Sequence, residues 1–433
     1  MSTTFAALRV RNYRLFATGS FVSNVGTWMQ RVAQDWLVLA LTGSAGALGI
    51  TTGLQFLPIL LFSPIAGVFA DRYSKRVVLA VTQVAMGVSA AALGVLAITG
   101  WVATWHIYAL AFLFGTATAF DSPTRQAFVN EMVDRSQLAN AVGLNSASFN
   151  LGRMVGPAVA GMLIAWMGSG VSATGWVILL NSASYIAVIV SLTRMRAEEL
   201  MPVERLPRAR GQLRDGIRYV RSRPDIMLVM AIVFCAGTFG LNFQMTTALM
   251  ATEVYGKGAG EYGILGSILA VGSLTGSLFA ARRAVSRQRL VVVAAVVFGT
   301  VEVVAGLMPS YLTFALLLPL CGVAALTVVT AANAFVQMSA DPQMRGRVMA
   351  LYMAIFMGGT PAGAPLLGWV AEHFGARWTL VGGGALTVIG TLLAVVVLAG
   401  RQGVAISPHL RPRPHLTVLH RDELAGSETV AAA

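Results

Sequence analysis

Residues 20–41 read SFVSNVGTWMQRVAQDWLVLAL, an apolar run interrupted by Asn24, Gln30, Arg31, Gln34 and Asp35. On a helix, Asn24, Arg31 and Asp35 share one stripe, at steps of seven and four residues, and Arg31 and Asp35 are close enough to pair. If this helix spans a membrane, charges at mid-depth cost roughly 2.5–3.5 kcal/mol each on insertion scales. Such residues face a bundle interior or a water-filled path. The rest of the chain must therefore build one.

Composition supplies the setting. The chain has 433 residues, 56% hydrophobic and 11% charged, with mean hydropathy +0.72. A soluble domain carries about 25% charged residues, so this is an integral membrane protein rather than a soluble enzyme. The net charge of +13 would suggest nucleic acid in a soluble protein. Here it reads as basic residues flanking membrane spans, with no nucleic-acid partner. Cys235 and Cys321 lie far apart in apolar runs and read as small buried hydrophobes. No cleavable signal peptide is expected, because the first apolar run is too long. No G-x-x-x-x-G-K-[ST] loop occurs. Neither ATP use nor any cofactor or metal is expected.

Apolar runs set against charge and Gly/Pro punctuation predict twelve spans. They fall at about 14–41, 46–70, 77–98, 105–127, 139–167, 172–194, 224–254, 260–281, 290–308, 311–338, 346–374 and 376–400. With a cytoplasmic N-terminus, all but four of the 31 Lys and Arg fall on the inner side. The exceptions are Lys257 and Arg377 in outer loops and Arg31 and Arg153 within spans. That asymmetry places both termini inside the cell, in the plasma (inner) membrane. Trp101, Trp105, Trp166, Trp176 and Trp378 fall near the opposite, outer ends, where amphipathic rings favour the headgroup zone.

The organisation that follows is an all-α integral membrane fold in two six-helix halves, 1–194 and 224–400. A cytoplasmic linker, 195–223, joins them, and residues 401–433 form a mobile cytoplasmic tail. In the linker, Leu213, Ile217 and Val220 make an apolar stripe beside Arg214, Arg218 and Arg221, predicting an amphipathic helix on the inner membrane surface. A repeat supports the halves: residues 124–161 align with 331–368 at a constant offset of 207. Ala127-Phe128-Val129 then meets Ala334-Phe335-Val336, and Gly152, Gly156 and Gly161 meet Gly359, Gly363 and Gly368. Repeated halves place a substrate path at their interface.

Between spans 2 and 3 stands Gly67-Val-Phe-Ala-Asp71-Arg72-Tyr-Ser-Lys75-Arg76. Span 5 carries Gly143, Gly152, Gly156-Pro157 and Ala160-Gly161. The first string resembles motif A of the major facilitator superfamily, with Ser74 where that pattern has Gly. The second resembles its motif C, the antiporter motif, with Ala160 replacing one Gly. The stretch from Phe120 to Arg153 is similar to the enterobactin-exporter and macrolide-efflux branch of that superfamily. The resemblance implies the twelve-helix major facilitator fold in pseudo-symmetric halves. It also implies a cytoplasmic latch at motif A, with Asp71 facing the start of span 11 at Arg345-Gly346-Arg347 and Asp121 as acid partner for Arg72 and Arg76. Motif C implies export rather than import.

In this fold spans 1, 4, 7 and 10 line the cavity, making Asn242, Gln244, Asn333 and Gln337 candidate lining residues. The polar Asn24 and Gln34 of span 1 join them, as does Arg153, a mid-span charge of span 5 that can meet an anionic substrate group or pair with a neighbouring dipole. Glu302, in the peripheral span 9, reads as a protonated or outward-snorkelling carboxyl. The expected function is export of a drug-, antibiotic- or siderophore-like compound by proton antiport, with Asp35 as proton carrier and Arg31 as its partner. The partners are a small-molecule substrate and the bilayer, and the protein is expected to be a monomer. The alternatives are a proton-coupled importer, a lipid or lysolipid flippase of the same fold, and a non-transporting receptor or assembly platform.

Overall fold

The computed structural model describes residues 3–201, 212–281, 288–401, 404–409 and 415–420. It is built almost wholly of long helices. The first group is α1 (Arg11–Thr42), α2 (Ala45–Arg72), α3 (Lys75–Thr99), α4 (Thr104–Met132), α5 (Arg135–Trp166) and α6 (Val171–Thr193). A shorter helix, α7 (Gln212–Ser222), leads to the second group. That group begins with a segment in pieces: α8 (Pro224–Cys235), a π-helical turn at Ala236–Gly240, α9 (Phe243–Leu249) and another π-helical turn at Met250–Val254. Then come α10 (Ala259–Ala281), α11 (Gln288–Gly306), α12 (Tyr311–Ser339), α13 (Arg345–Phe374) and α14 (Arg377–Arg401).

Local chemistry sets the breaks. Gly43, at φ +61°, closes α1 by donating its N–H to the Leu39 carbonyl, and Ser44 caps α2 by accepting from Ala47 N–H. Ser310 and Thr313 form the capping box that starts α12.

Nine helices among the described residues are long and apolar enough to cross a membrane. The long helices α1, α4 and α5 are less apolar and fall outside that group. The exterior suits lipid. Val77, Val81, Val84 and Val88 form an exposed stripe on α3, and Leu392, Leu393, Val396 and Val397 another on α14. Continuous apolar surface of this kind marks a membrane-facing wall. The exposed Trp101, Trp105, Trp166 and Trp378 gather at one end of the bundle, hereafter the tryptophan end. The opposite, basic end carries Arg72, Lys75, Arg125, Arg135, Arg345 and Arg347.

Several polar groups inside are paired, as a bilayer favours. The fully buried Tyr13 donates to the Ala141 carbonyl, and Tyr352 to the Val329 carbonyl. Asn181 donates to Gln30 and to the Tyr185 hydroxyl, stitching α6 to α1.

The repeated glycines make repeated contacts. Gly152 and Gly156 of α5 pack on Asn24 and Trp28 of α1, while their counterparts Gly359 and Gly363 of α13 pack on Gly237 and Thr238 in the seventh segment. Gly161 meets Ala259 and Gly263 of α10, and its counterpart Gly368 meets Ala45 and Gly49 of α2. A Cβ on Gly161 would sit 2.4 Å from the Ala259 carbonyl oxygen. Small residues let these backbones touch.

Two details add to the expected organisation. The helix predicted in the linker forms as α7, but it docks on α13. Its Gly216 lies against Arg347 and Leu351, Asp215 pairs with Arg347 at 3.3 Å, and the Tyr219 hydroxyl accepts from the Asp341 N–H. Of the aliphatic stripe, Val220 is buried and Ile217 is left exposed. Within the tail, expected to be mobile, Val404–His409 and His415–His420 pair as antiparallel strands, with His409 opposite His415. Alternating Val, Ile and Leu around a Pro-rich connection suits a hairpin.

A central cavity between two groups of helices

A cavity of about 280 Å³ lies where α1, α2 and α5 meet the seventh segment, α10, α12 and α13. Its wall is mostly apolar and aromatic, with Trp28, Phe56, Phe243 and Phe356. Its polar groups are Arg31, Arg153, Asn242, Gln244 and Tyr262, with the hydroxyls of Thr52, Thr247, Ser273 and Thr360. That mixture is typical of small-molecule sites. The two helix groups touch at the tryptophan end, through Gly161 on Gly263 and Gly49 on Gly368. Toward the basic end they part: a Cβ on Gly143 of α5 or on Gly346 of α13 would meet nothing within 4 Å.

Asp35 lies buried beside this cavity. Its Oδ2 accepts 2.7 Å hydrogen bonds from Gln244 Nε2 and from the Tyr262 hydroxyl, so one carboxylate on α1 binds two elements of the second group. Tyr262 is held in turn, since its hydroxyl lies 3.2 Å from the Gln244 carbonyl. The break in the seventh segment delivers Gln244. The wide turn Ala236–Gly240 and the non-helical Leu241-Asn242 restart the chain as α9, whose first turn faces α1.

The expected ion pair between Arg31 and Asp35 is absent. The Arg31 guanidinium instead lies over Trp28, at 4.7 Å from the ring centroid, and over Phe56 at 5.3 Å. Two neutral donors take the carboxylate, and the cation turns to the aromatic wall. Arg153 lies 5.7 Å from the same Trp28 ring. Neither guanidinium has an ion-pair or hydrogen-bond partner among the described residues, and Arg31 Nε is buried.

The other predicted residues scatter. Gln244, Asn242 and Arg153 line the cavity. Asn24 and Gln34 do not: Asn24 donates to Ser148 on α5, and Gln34 is buried with its Nε2 unpartnered. Asn333 and Gln337 bond to each other along α12, away from the cavity. In motif C, Gly152, Gly156 and Gly161 are contact points and Pro157 lines the cavity, whereas Gly143 touches nothing.

At motif A, the Asp71 side chain lies outside the described residues, and Gly67 is half-buried in α2. Asp121 does not serve Arg72 or Arg76. It pairs with Arg125 at 2.9 Å and accepts from Thr82 and Gln83, because Arg125 is one turn away on its own helix. Arg76 donates to the Thr193 carbonyl, Lys75 pairs with Glu131 at 2.6 Å, and Arg72 is exposed. Glu302 does not snorkel: it is fully buried on α11 against Gly240, with no hydrogen-bond partner for either oxygen.

Sequence reading missed Tyr262, Trp28, Phe56 and Phe356. Each is an aromatic in an apolar helix, and nothing local separates a cavity wall from a core position.

A bundle of apolar helices around a polar-edged cavity, closed at one end, is the architecture of a membrane transporter rather than of an enzyme. The family described as transmembrane secretion effector matches residues 2–419, and the chain belongs to it. It is 28% identical over 398 residues to the multidrug efflux pump Tap of Mycolicibacterium fortuitum, covering 89% of this chain and 94% of that protein. It is 21% identical to macrolide efflux protein A of Streptococcus pyogenes, covering 90% and 96%. The staphyloferrin A transporter of Staphylococcus aureus is 32% identical, over 35% of this chain and 38% of its own length. Among solved structures, the nucleoside transporter NupG aligns with TM-score 0.71 at 11% identity, over 89% of this chain and 99% of that one. A bacterial homolog of the lysosomal transporter Spinster, inward-facing and unoccupied, aligns with TM-score 0.65 at 15% identity, over 90% and 96%. The protein is a major-facilitator-type secondary transporter of small molecules.

Proposed function

We propose that this chain exports an organic compound, of the drug, antibiotic or siderophore kind, against inward proton flow. It does so as a monomer with twelve spans in two six-helix halves, residues 1–194 and 224–400. The halves are joined by 195–223, and both termini are cytoplasmic in the plasma membrane. The basic end then faces the cytoplasm, and the cavity is open inward.

One observation carries the reading: Asp35 of the first half accepts from Gln244 and Tyr262 of the second, beside the cavity. Hydrogen bonds to an ionised carboxylate are about twice as strong as neutral ones. A proton arriving on Asp35 removes the charge that strengthens both bonds and loosens the tie between the halves. Coupling requires a ligand that binds two states unequally, and this tie gives the proton that difference. Arg31, one turn away, sets the local field. Gly152, Gly156, Pro157 and Gly161 provide the sliding and closing faces of α5, with Gly143 free to take up a contact when the basic end closes. The inner gate is formed at the motif A loop, residues 67–76, with Asp71 and Arg72 there, Lys75 held by Glu131 and Arg76 held by the Thr193 carbonyl, while Asp121 acts through Arg125.

The named relatives favour export, since two are efflux proteins. The test uses everted vesicles with an acid interior and a panel of drugs and a siderophore. The expected result is proton-driven accumulation inside, abolished by a protonophore. Accumulation only in right-side-out vesicles, along the proton gradient, would replace export by import.

A further inference from the structure

The central cavity holds two cations that the protein itself leaves unanswered. Arg31 on α1 and Arg153 on α5 flank one ring, Trp28, at 4.7 and 5.7 Å. Both line the cavity, and neither has an acid or a hydrogen-bond acceptor among the described residues. The one neighbouring carboxylate, Asp35, is committed to Gln244 and Tyr262. A guanidinium presents five N–H donors in a fixed fork suited to carboxylate or phosphate. The aromatic faces offset only a part of what removing a cation from water costs. Once the site closes around cargo, the cargo must supply the acceptor.

Resting on the transporter reading above, we propose that Arg31 and Arg153 form an anion subsite, and that the cargo is an amphipathic organic anion. Its acidic group sits between the two guanidiniums. Its apolar or aromatic body lies along Phe56, Phe243 and Phe356. Charge counting supports the assignment. With Asp35 ionised, the two arginines leave the site at a net single positive charge, and a monoanion brings it to neutrality. A cationic cargo would add a third positive charge to a low-dielectric site. Trp28 fixes the spacing, since both guanidiniums rest on one ring that is itself edge-packed on Phe149 at 5.7 Å.

The subsite is tested by equilibrium binding to the purified full chain, which is independent of transport direction and of any gradient. Calorimetry would compare three probes of one shape: 2-naphthoate, 2-naphthamide and 2-naphthylmethylammonium. The expected order is carboxylate at least tenfold tighter than amide, with the ammonium weakest. Arg31→Gln and Arg153→Gln should each narrow the carboxylate–amide gap, and the double variant should close it. Arg31→Lys and Arg153→Lys should retain most of it. No binding of naphthoate, equal binding of naphthoate and naphthamide, or tighter binding of the ammonium by the unaltered protein would overturn the subsite, whatever the variants do. Anion preference in binding together with failed export in vesicles would overturn the export reading alone.

Discussion

At the scale of single residues, the charged stripe of the first helix is where sequence and structure agree on location and part on partnership. Asp35 was legible as a mid-span carboxylate because charge in an apolar run is rare. Its partners were not, since Gln244 and Tyr262 lie 209 and 227 residues away and only folding brings them together. Arg31 looked like the partner because helix spacing allows it, yet spacing says nothing of the aromatic faces that claim it. Tyr262→Phe removes one of two charge-assisted donors, and such a bond is worth about 1.5–3 kcal/mol. The expected result is proton-driven transport reduced roughly tenfold or more with unchanged folded yield. Unaltered initial rates in vesicles would show that the tie is idle. Glu302 gives the opposite expectation. An ionised carboxylate with no partner would cost several kcal/mol in this interior, so an uncharged amide of the same shape should serve there equally well. Glu302→Gln is expected to leave folded yield and transport unchanged, and a loss of either, by size-exclusion profile or vesicle assay, would give that carboxyl a role.

At the scale of elements, long apolar runs translate directly into helices, and their ends fall within a few residues of where charge and glycine place them. The seventh segment is the exception. Its sequence reads as one apolar span, but the chain takes two wide turns and a break around Gly237, Gly240 and Asn242, where it packs against α13 and α14. The glycines of α5 were legible as a close-packing face, while their division between α1 on one side and α10 on the other was not. Gly161→Leu forces α5 and α10 apart, since even a Cβ there would stand 2.4 Å from the Ala259 carbonyl oxygen. Overpacking of this kind costs about 1–3 kcal/mol. It should shift the population away from the state closed at the tryptophan end. Spin labels on Trp166 and Trp378 positions would read this as a longer distance, and an unchanged distance distribution would contradict it. On α7, the Asp215–Arg347 pair is half-exposed and should contribute no more than about 1 kcal/mol. Asp215→Arg should therefore weaken docking of α7 only slightly, and Arg347→Asp in the same chain should restore it, as followed by amide exchange of residues 212–222.

At the scale of the molecule, composition alone fixed the solvent, and the offset of 207 residues foretold equivalent contacts. The pairing of Gly161 with α10 and Gly368 with α2 repeats one arrangement in two places. What the sequence withheld was the cavity wall, because Trp28, Phe56 and Phe356 are indistinguishable from core aromatics until the helices are assembled. The account rests on one group that links the two helix sets and takes up a proton. The direct test is Asp35→Asn in proteoliposomes with an imposed pH gradient, scored beside its folding and insertion. The account predicts a folded, inserted protein that no longer accumulates cargo against its gradient. Accumulation at the rate of the unaltered protein would contradict it.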